Sequence, residues 1–244
     1  MHNLFYNQIL DFLIIHLIAI FEGLLVVKLN WKVNYTRKIN HFFVFFLPYI
    51  NKLIFPFEES FYTQIIISIV GLLTLAIYLK PLREKVYIIQ LMFAAFDRPE
   101  DRPYTLKWLF TQYLATYLVA VPLWLVFSKI GHTEAIPMII LINAIGDGLA
   151  EPIGITWGKH KYKVKALFTN REYTRSIEGS ACVFFSSLII LLFFHNSFTS
   201  LQFIFALLFV PITATLVEAK SPHTWDSPFI FGGVGLSLIL IFLI

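Results

Sequence analysis

The chain has 244 residues, of which 58% are hydrophobic and 14% charged, with a mean hydropathy of +0.74. That much apolar surface exceeds what one soluble core can hide, which excludes a water-soluble globular domain and makes the chain an integral membrane protein. The net charge of +4 reads as the Lys/Arg excess of cytoplasmic loops rather than as a nucleic-acid footprint. The one cysteine, Cys182, excludes an internal disulfide or a cysteine metal site.

In chain order, the apolar runs predict eight membrane-spanning helices near 9–27, 41–56, 63–79, 108–127, 135–154, 179–194, 202–219 and 229–244. Each suits about 30 Å of hydrocarbon, the shorter ones with tilt or local thinning. The expected fold is an all-α polytopic bundle forming a single membrane domain over 1–244. The opening MHNLFYNQ has no basic n-region and no A-x-A-like site follows it, so the first run reads as an anchor rather than a cleaved signal. Segment 84–96, EKVYIIQLMFAAF, is short and charged at both ends, which predicts an interfacial amphipathic helix. With that segment out of the membrane, seventeen of the nineteen Lys and Arg fall on one side, leaving only Lys52 and Lys129 opposite. The positive-inside rule makes the basic side cytoplasmic, loop 155–178 included, and puts both termini outside.

The fifth span closes on NAIGDGLAEPIGITWG, residues 143–158. An ionised side chain in hydrocarbon costs at least about 2.5–3.5 kcal/mol, so Asp147 and Glu151 there ask for a cationic partner. On a helix Asn143, Asp147 and Glu151 follow i, i+4, i+8 and form one oxygen-bearing stripe suited to Mg²⁺. Other polar residues gather on the same basic side: Arg37-Lys38-x-x-His41 before the second span, GKHKYKVK at 158–165, Arg175-Ser176-x-Glu178-Gly179-Ser180 before the sixth, and Glu218 and Asp226 around the end of the seventh. Carboxylates that hold a divalent ion and cations that neutralise phosphate oxygens are what binding a polyanion requires. Plainer roles stand beside these. The basic residues also suit lipid anchoring, Gly179 and Ser180 suit close helix packing, Pro152 and Gly154 suit a kink or a helix end, and the acids suit a salt-bridged network.

The set RKxxH, GDGLAEPIGITWGKHK, RSIEGS and ATLVEAKSPHTWDSP, in this order between apolar spans, resembles the polyprenol kinase family of phytol kinases, dolichol kinases and CTP-dependent diacylglycerol kinases. It is more distantly similar to phosphatidate cytidylyltransferase. The resemblance runs from Arg37 to Pro228. It implies that Asp147, Glu151 and Glu178 serve Mg²⁺, and that Lys159 and Lys161 contact nucleotide phosphates. Arg175, Ser176 and Gly179 belong to the K/R-S-x-E-G element that meets phosphate, Glu218 matches the acid of V-E-A, and Arg37, Lys38 and His41 match the first motif. Asp226 matches a downstream aspartate, although the family's D-N-x-x-x-P is here Trp225-Asp226-Ser227-Pro228.

The function so implied is transfer of a phosphoryl group from CTP, or a related nucleotide, to a long-chain lipid alcohol at the cytoplasmic face. A carboxylate or His41 would take the hydroxyl proton. No P-loop pattern occurs. A cytidylyltransferase is the first alternative, disfavoured by SPHTWDSPF where an H-G-G-x-x-D-R-x-D type of ending is expected. A cation- or proton-coupled transporter is the second, for which the acids should lie nearer the midplane. Phytol, prenols, dolichol and diacylglycerol are equivalent at this level, and the oligomeric state is not encoded in any motif.

Overall fold

The computed structural model describes residues 2–244, and 79% of the chain is helical. All eight apolar runs lie in helices. Five helices are long and apolar enough to cross a membrane: His2–Leu29, Phe61–Tyr78, Thr105–Ile130, Ala135–Trp157 and Ser200–Lys220. Ile177–Phe193 and Asp226–Phe242 are shorter apolar helices, and Val33–Ile54 carries the charged RKxxH sequence in its first turns. The chain is thus a multi-pass membrane protein, and outward residues such as Leu17, Leu118, Phe193 and Leu240 are exposed on apolar faces suited to lipid. By packing it divides into two compact units, Met1–Leu114 and Ala115–Ile244.

In the first unit, α1 (His2–Leu29) and α2 (Val33–Ile54) form an antiparallel pair. The turn between them places Asn30 at φ 54°, a left-handed conformation that asparagine tolerates better than most residues. Helix α2 starts eight residues before the predicted span, so Arg37, Lys38 and His41 lie within it rather than in a loop. Helix α3 (Phe61–Thr74) is started by a reciprocal cap between Ser60 and Thr63 and ends in a 3₁₀ turn, Leu75–Tyr78.

The single helix predicted over 84–96 is broken in two. The chain forms two short helices, α4 (Lys80–Lys85) and α5 (Tyr87–Ala94), broken at an extended Val86. Met92, Phe93, Ala95 and Phe96 are buried with Ala19, Leu75 and Tyr78 as this unit's core. One side of α5 therefore meets protein, while Val86, Tyr87 and Ile88 remain exposed. Gly23 of α1 makes this approach possible, since a Cβ there would come within 2.0 Å of the Leu91 carbonyl oxygen. Beyond α5, Arg98 Nε donates to Asp101 at 2.7 Å, and Arg102 Nε and Thr105 Oγ1 donate to Asp97 at 2.8 and 2.7 Å. These contacts tie the charged stretch after α5 together.

The second unit begins partway along α6 (Thr105–Ile130). It continues through α7 (Ala135–Leu141), a π-helical turn (Ile142–Asp147), α8 (Gly148–Trp157), α9 (Ile177–Phe193), α10 (Ser200–Lys220) and α11 (Asp226–Phe242). Its core is aliphatic, with Met138, Ile139, Val183, Leu191, Val210 and Val234 fully buried. Helix α10 starts on a reciprocal Thr199–Gln202 cap.

An all-α chain was expected, and 155–178 departs from it. Strands β1 (Lys161–Lys165) and β2 (Glu172–Ser176) pair antiparallel, with Tyr162 opposite Arg175 and Val164 opposite Tyr173. The alternation in KYKVK explains the departure: with period two, Tyr162 and Val164 turn inward and the lysines outward.

Candidate functional site

Small residues recur every four positions at Gly146, Ala150, Gly154 and Gly158, and they form the ridge on which α9 sits. A Cβ on Gly146 would lie 2.9 Å from Ser186 Oγ, and one on Gly154 would lie 2.8 Å from Ser176 Oγ. From the facing helix, a Cβ on Gly179 would lie 2.6 Å from the Ala150 carbonyl oxygen. This is the small-xxx-small solution that lets membrane helices approach closely. It gives Gly154 and Gly179 a packing role, and it seats the polar residues of α8 beside the start of α9.

The regular oxygen stripe is modified at its first step. Residues Ile142–Asp147 form a π turn with i→i+5 bonding, so Asn143 and Asp147 are not in α-helical register. Further on, Pro152 has no N–H to offer the Gly148 carbonyl. Asn143 is 0% exposed, and neither its Oδ1 nor its Nδ2 has a hydrogen-bond partner. Asp147 is 6% exposed, and Glu151 is half-buried in the first turn of α8.

Beside that ridge, Arg175 at the end of β2 collects three distant segments. Its Nη1 donates to the Glu218 carbonyl, to Glu218 Oε1 at 3.3 Å and to Ser221 Oγ at 3.1 Å, while Nη2 pairs with Asp226 Oδ1. Ser180 Oγ donates to Glu218 Oε2 at 2.8 Å and leaves its own oxygen to accept from the Tyr162 hydroxyl at 2.7 Å. Ser221 Oγ bonds the Glu218 carbonyl and Asp226 Oδ1 at 2.7 and 2.6 Å. Burial disfavours the guanidinium charge, but Asp226 and then Glu218 outweigh it and hold the Arg175 pKa above its ordinary value. Asp147 adds to the same field. One cation thus faces three carboxyl groups. Burial, reinforced by Glu218, raises the Tyr162 pKa, so its hydroxyl keeps its proton.

The hairpin is clamped onto the α10–α11 connection. His223 N–H donates to the Lys165 carbonyl at 2.9 Å, and the His223 ring stacks on Tyr173 with centroids 3.5 Å apart. Lys159 and Lys161 stand exposed at its start, and Lys163 pairs with Glu172 at 3.0 Å.

Several of the expected site residues have protein partners. Arg175, expected on phosphate, spends its donors on protein oxygens. Ser176 caps α9 by accepting from Gly179 N–H at 3.0 Å. Glu178, expected on metal, accepts from His160 Nδ1 at 2.8 Å and from His160 N–H. That contact, His160's side chain first, holds the carboxylate well below its usual range, to about 2. Among the described residues no group of three or more His, Cys, Asp or Glu side chains is arranged to hold a metal, so Asp147, Glu151 and Glu178 do not form a preassembled cage. Arg37, Lys38 and His41 belong to the first unit, where Lys38 is buried and the His41 ring meets Phe45 edge-on at 4.9 Å.

Tyr162 and Ser221 were not singled out from sequence as members of this cluster, whereas Ser180 was read there in RSIEGS and as a packing residue. The inward phase of KYKVK was the available signal for Tyr162. For Ser221 there was none, because its role depends on the turn after α10. No family model, curated protein or solved structure matches this chain.

Proposed function

We propose that the chain is a membrane phosphotransferase that moves the terminal phosphoryl group of CTP, or a related nucleoside triphosphate, to the hydroxyl of a long-chain lipid alcohol. The observation that carries this reading is the Arg175–Glu218–Asp226 ion cluster. It joins RSIEGS to VEAKSPHTWDSP across more than forty residues, takes in Tyr162 of the hairpin, and lies in the field of Asp147. In this reading the chain crosses the bilayer eight times, the basic side faces the cytoplasm, both termini lie outside, and the whole chain serves one activity.

The exposed Lys159 and Lys161 bind the nucleotide phosphates, since charge-assisted contacts are the strong ones for a polyanion. Arg175 positions Glu218 and Asp226 instead of touching phosphate. A carboxylate of this cluster takes the proton of the acceptor hydroxyl. The residues fit Mg²⁺ in the form in which substrate phosphates supply most ligands: Asn143 offers a buried amide oxygen without a partner, and Asp147 offers a carboxylate one turn on. Bound there, Mg²⁺ would offset charge on the phosphates.

The test is a product assay in nanodiscs with a panel of lipid alcohols and CTP labelled either at the γ-phosphate or in cytidine. γ-Label in lipid supports the reading. Cytidine label in lipid replaces it with cytidylyl transfer, and no label in any lipid with any nucleotide overturns it.

A further inference from the structure

Helices α1 and α2 carry two acid–amide pairs across their interface. Asn51 Nδ2 donates to Asp11 Oδ1 at 2.6 Å, and Asn40 Nδ2 donates to Glu22 Oε2 at 3.3 Å. At the Asp11 pair, Gln8 also reaches the second carboxyl oxygen at 3.5 Å. The Glu22 pair differs: Glu22 is 1% exposed, and its Oε1 has no hydrogen-bond partner. Glu22 meets a neutral amide and apolar side chains rather than a cation. A charge held that way in hydrocarbon is costly, so the carboxyl keeps its proton. Oε2, which takes the Asn40 hydrogen, is then the carbonyl oxygen, and Oε1 is a hydroxyl with a hydrogen to give.

Glu22 lines a cavity of about 360 Å³ whose other walls, among the described residues, are apolar, including Ile14, Ile18, Leu25, Ile39 and Phe43. Its lining also includes Leu17 and Phe21, which are exposed, so the cavity is reached from the outer face of the helix pair. Its depth in the bilayer follows from the end of α1. Lys28 stands in the last turn and the exposed Trp31 follows it, the residue types that mark a membrane boundary. Glu22 comes six residues before Lys28, about 9 Å along the helix. With a headgroup zone roughly 5–7 Å deep, Glu22 lies just inside the hydrocarbon edge, at the level of the first acyl carbons. Ile14 lies about 12 Å deeper.

We propose that this cavity holds one acyl chain of a leaflet phospholipid, with the Glu22 Oε1 hydroxyl donating to the chain's ester carbonyl and the apolar walls covering its carbons down to Ile14. A buried donor left without an acceptor is costly, and the walls offer none. An ester carbonyl supplies the acceptor and brings no donor of its own. An alcohol or an amide would bring a hydrogen that the walls cannot accept, and an ammonium would bring three. An ether oxygen is the weaker acceptor, and a plain hydrocarbon tail would fill the space and leave Oε1 unsatisfied. The occupant is a phospholipid of the surrounding leaflet rather than a reactant. The site therefore stands apart from the phosphotransferase reading and is tested by binding alone, without nucleotide, so either can fail while the other stands.

The experiment uses the full chain in nanodiscs made either of dioleoyl phosphatidylcholine or of its dioleyl diether analogue. Each holds a trace of diacyl phosphatidylcholine bearing a diazirine and a terminal alkyne on one chain, and crosslinked peptides are mapped by mass spectrometry. Labels are expected within 14–25 and 39–43, moving from the Glu22 end toward Ile14 as the diazirine is placed further down the chain. Labelling should be about fivefold stronger in the diether bilayer, where no other carbonyl competes, the ratio expected for one neutral hydrogen bond. In that bilayer methyl oleate should suppress it at lower concentration than oleyl alcohol or oleylamine. Glu22→Gln keeps a donor and should hold labelling within about twofold, whereas Glu22→Leu should reduce it about fivefold. Ile18→Trp should reduce it as far by filling the cavity, and it keeps the Glu22–Asn40 pair should Glu22→Leu fail to fold. Equal labelling in the two bilayers overturns the proposal, as does stronger suppression by the alcohol or the amine. Full labelling in folded Glu22→Leu or Ile18→Trp, or its loss in folded Glu22→Gln, overturns it too.

Discussion

Buried acids are handled in opposite ways in the two units. In the second unit Glu218 and Asp226 meet a guanidinium at the ends of helices, and hydroxyls of Ser180 and Ser221 take the remaining lone pairs. In the first unit Asp11 and Glu22 lie inside a 28-residue apolar helix and meet only neutral amides. A guanidinium against acids gathers several carboxyl oxygens around one cation. Acid against amide fixes helix register. The first arrangement suits chemistry on phosphates, and the second suits the pairing of two helices.

The largest effect expected from breaking this contrast is at Arg175. Arg175→Met leaves buried Glu218 and half-buried Asp226 without their cation and should destabilise the protein by about 3–5 kcal/mol, read as a fall in thermal unfolding temperature in detergent. A shift no larger than that of a surface substitution would show that the carboxylates find another partner.

Next comes the ridge that seats the site. Gly179→Ala puts a methyl 2.6 Å from the Ala150 carbonyl oxygen, whereas Gly232→Ala meets nothing closer than Val119 Cγ1 at 3.8 Å. Overpacking costs typically about 1–3 kcal/mol, so the first variant should lose stability and the second should not. In the first unit, Asn51→Leu strips Asp11 of its amide donor and should cost about 1–3 kcal/mol, the cost of a buried group left without its bond. If the loss is much smaller, the pair contributes nothing to helix register.

The smallest effect concerns Glu178. Its folded pKa lies below the unfolded value because His160 bonds the charged form, so the contact stabilises above about pH 4.5 and is lost as pH falls toward 2. In His160→Ala the Glu178 titration, followed by carboxyl-selective NMR, should move up toward 4.5, and hairpin amides should exchange faster at neutral pH. An unmoved titration would show that the backbone N–H groups alone hold the carboxylate.

Helix positions were legible because apolar runs of this length have one structural solution, and all eight appear as helices. What composition could not convey was how a short apolar run ends up. Segment 84–96 matches an interfacial helix in pattern, and only Gly23, distant in sequence, marks the close approach of α1 to Leu91. The hairpin was hidden in a lysine-rich loop whose charge drew attention away from its two-residue alternation. Within the candidate site the residue types were readable, but their partners were not. Arg175 looks identical in sequence whether it meets phosphate or carboxylates, and its choice depends on where the α10–α11 connection returns. Asp11 and Glu22 stood in plain view within the first span, and the matching interval of Asn40 and Asn51 was the clue that pairs them.

The central claim is that the acidic cluster around Arg175 and Asp147 performs phosphoryl transfer, and Asp147→Asn in the purified protein tests it most directly. The amide keeps the shape and removes the charge, so thermal unfolding should stay close to that of the unaltered protein. Transfer of γ-label from CTP to lipid alcohol should fall by about 10²–10³, the loss typical of removing one group that stabilises charge in the transition state. Undiminished transfer by folded Asp147→Asn would contradict the account.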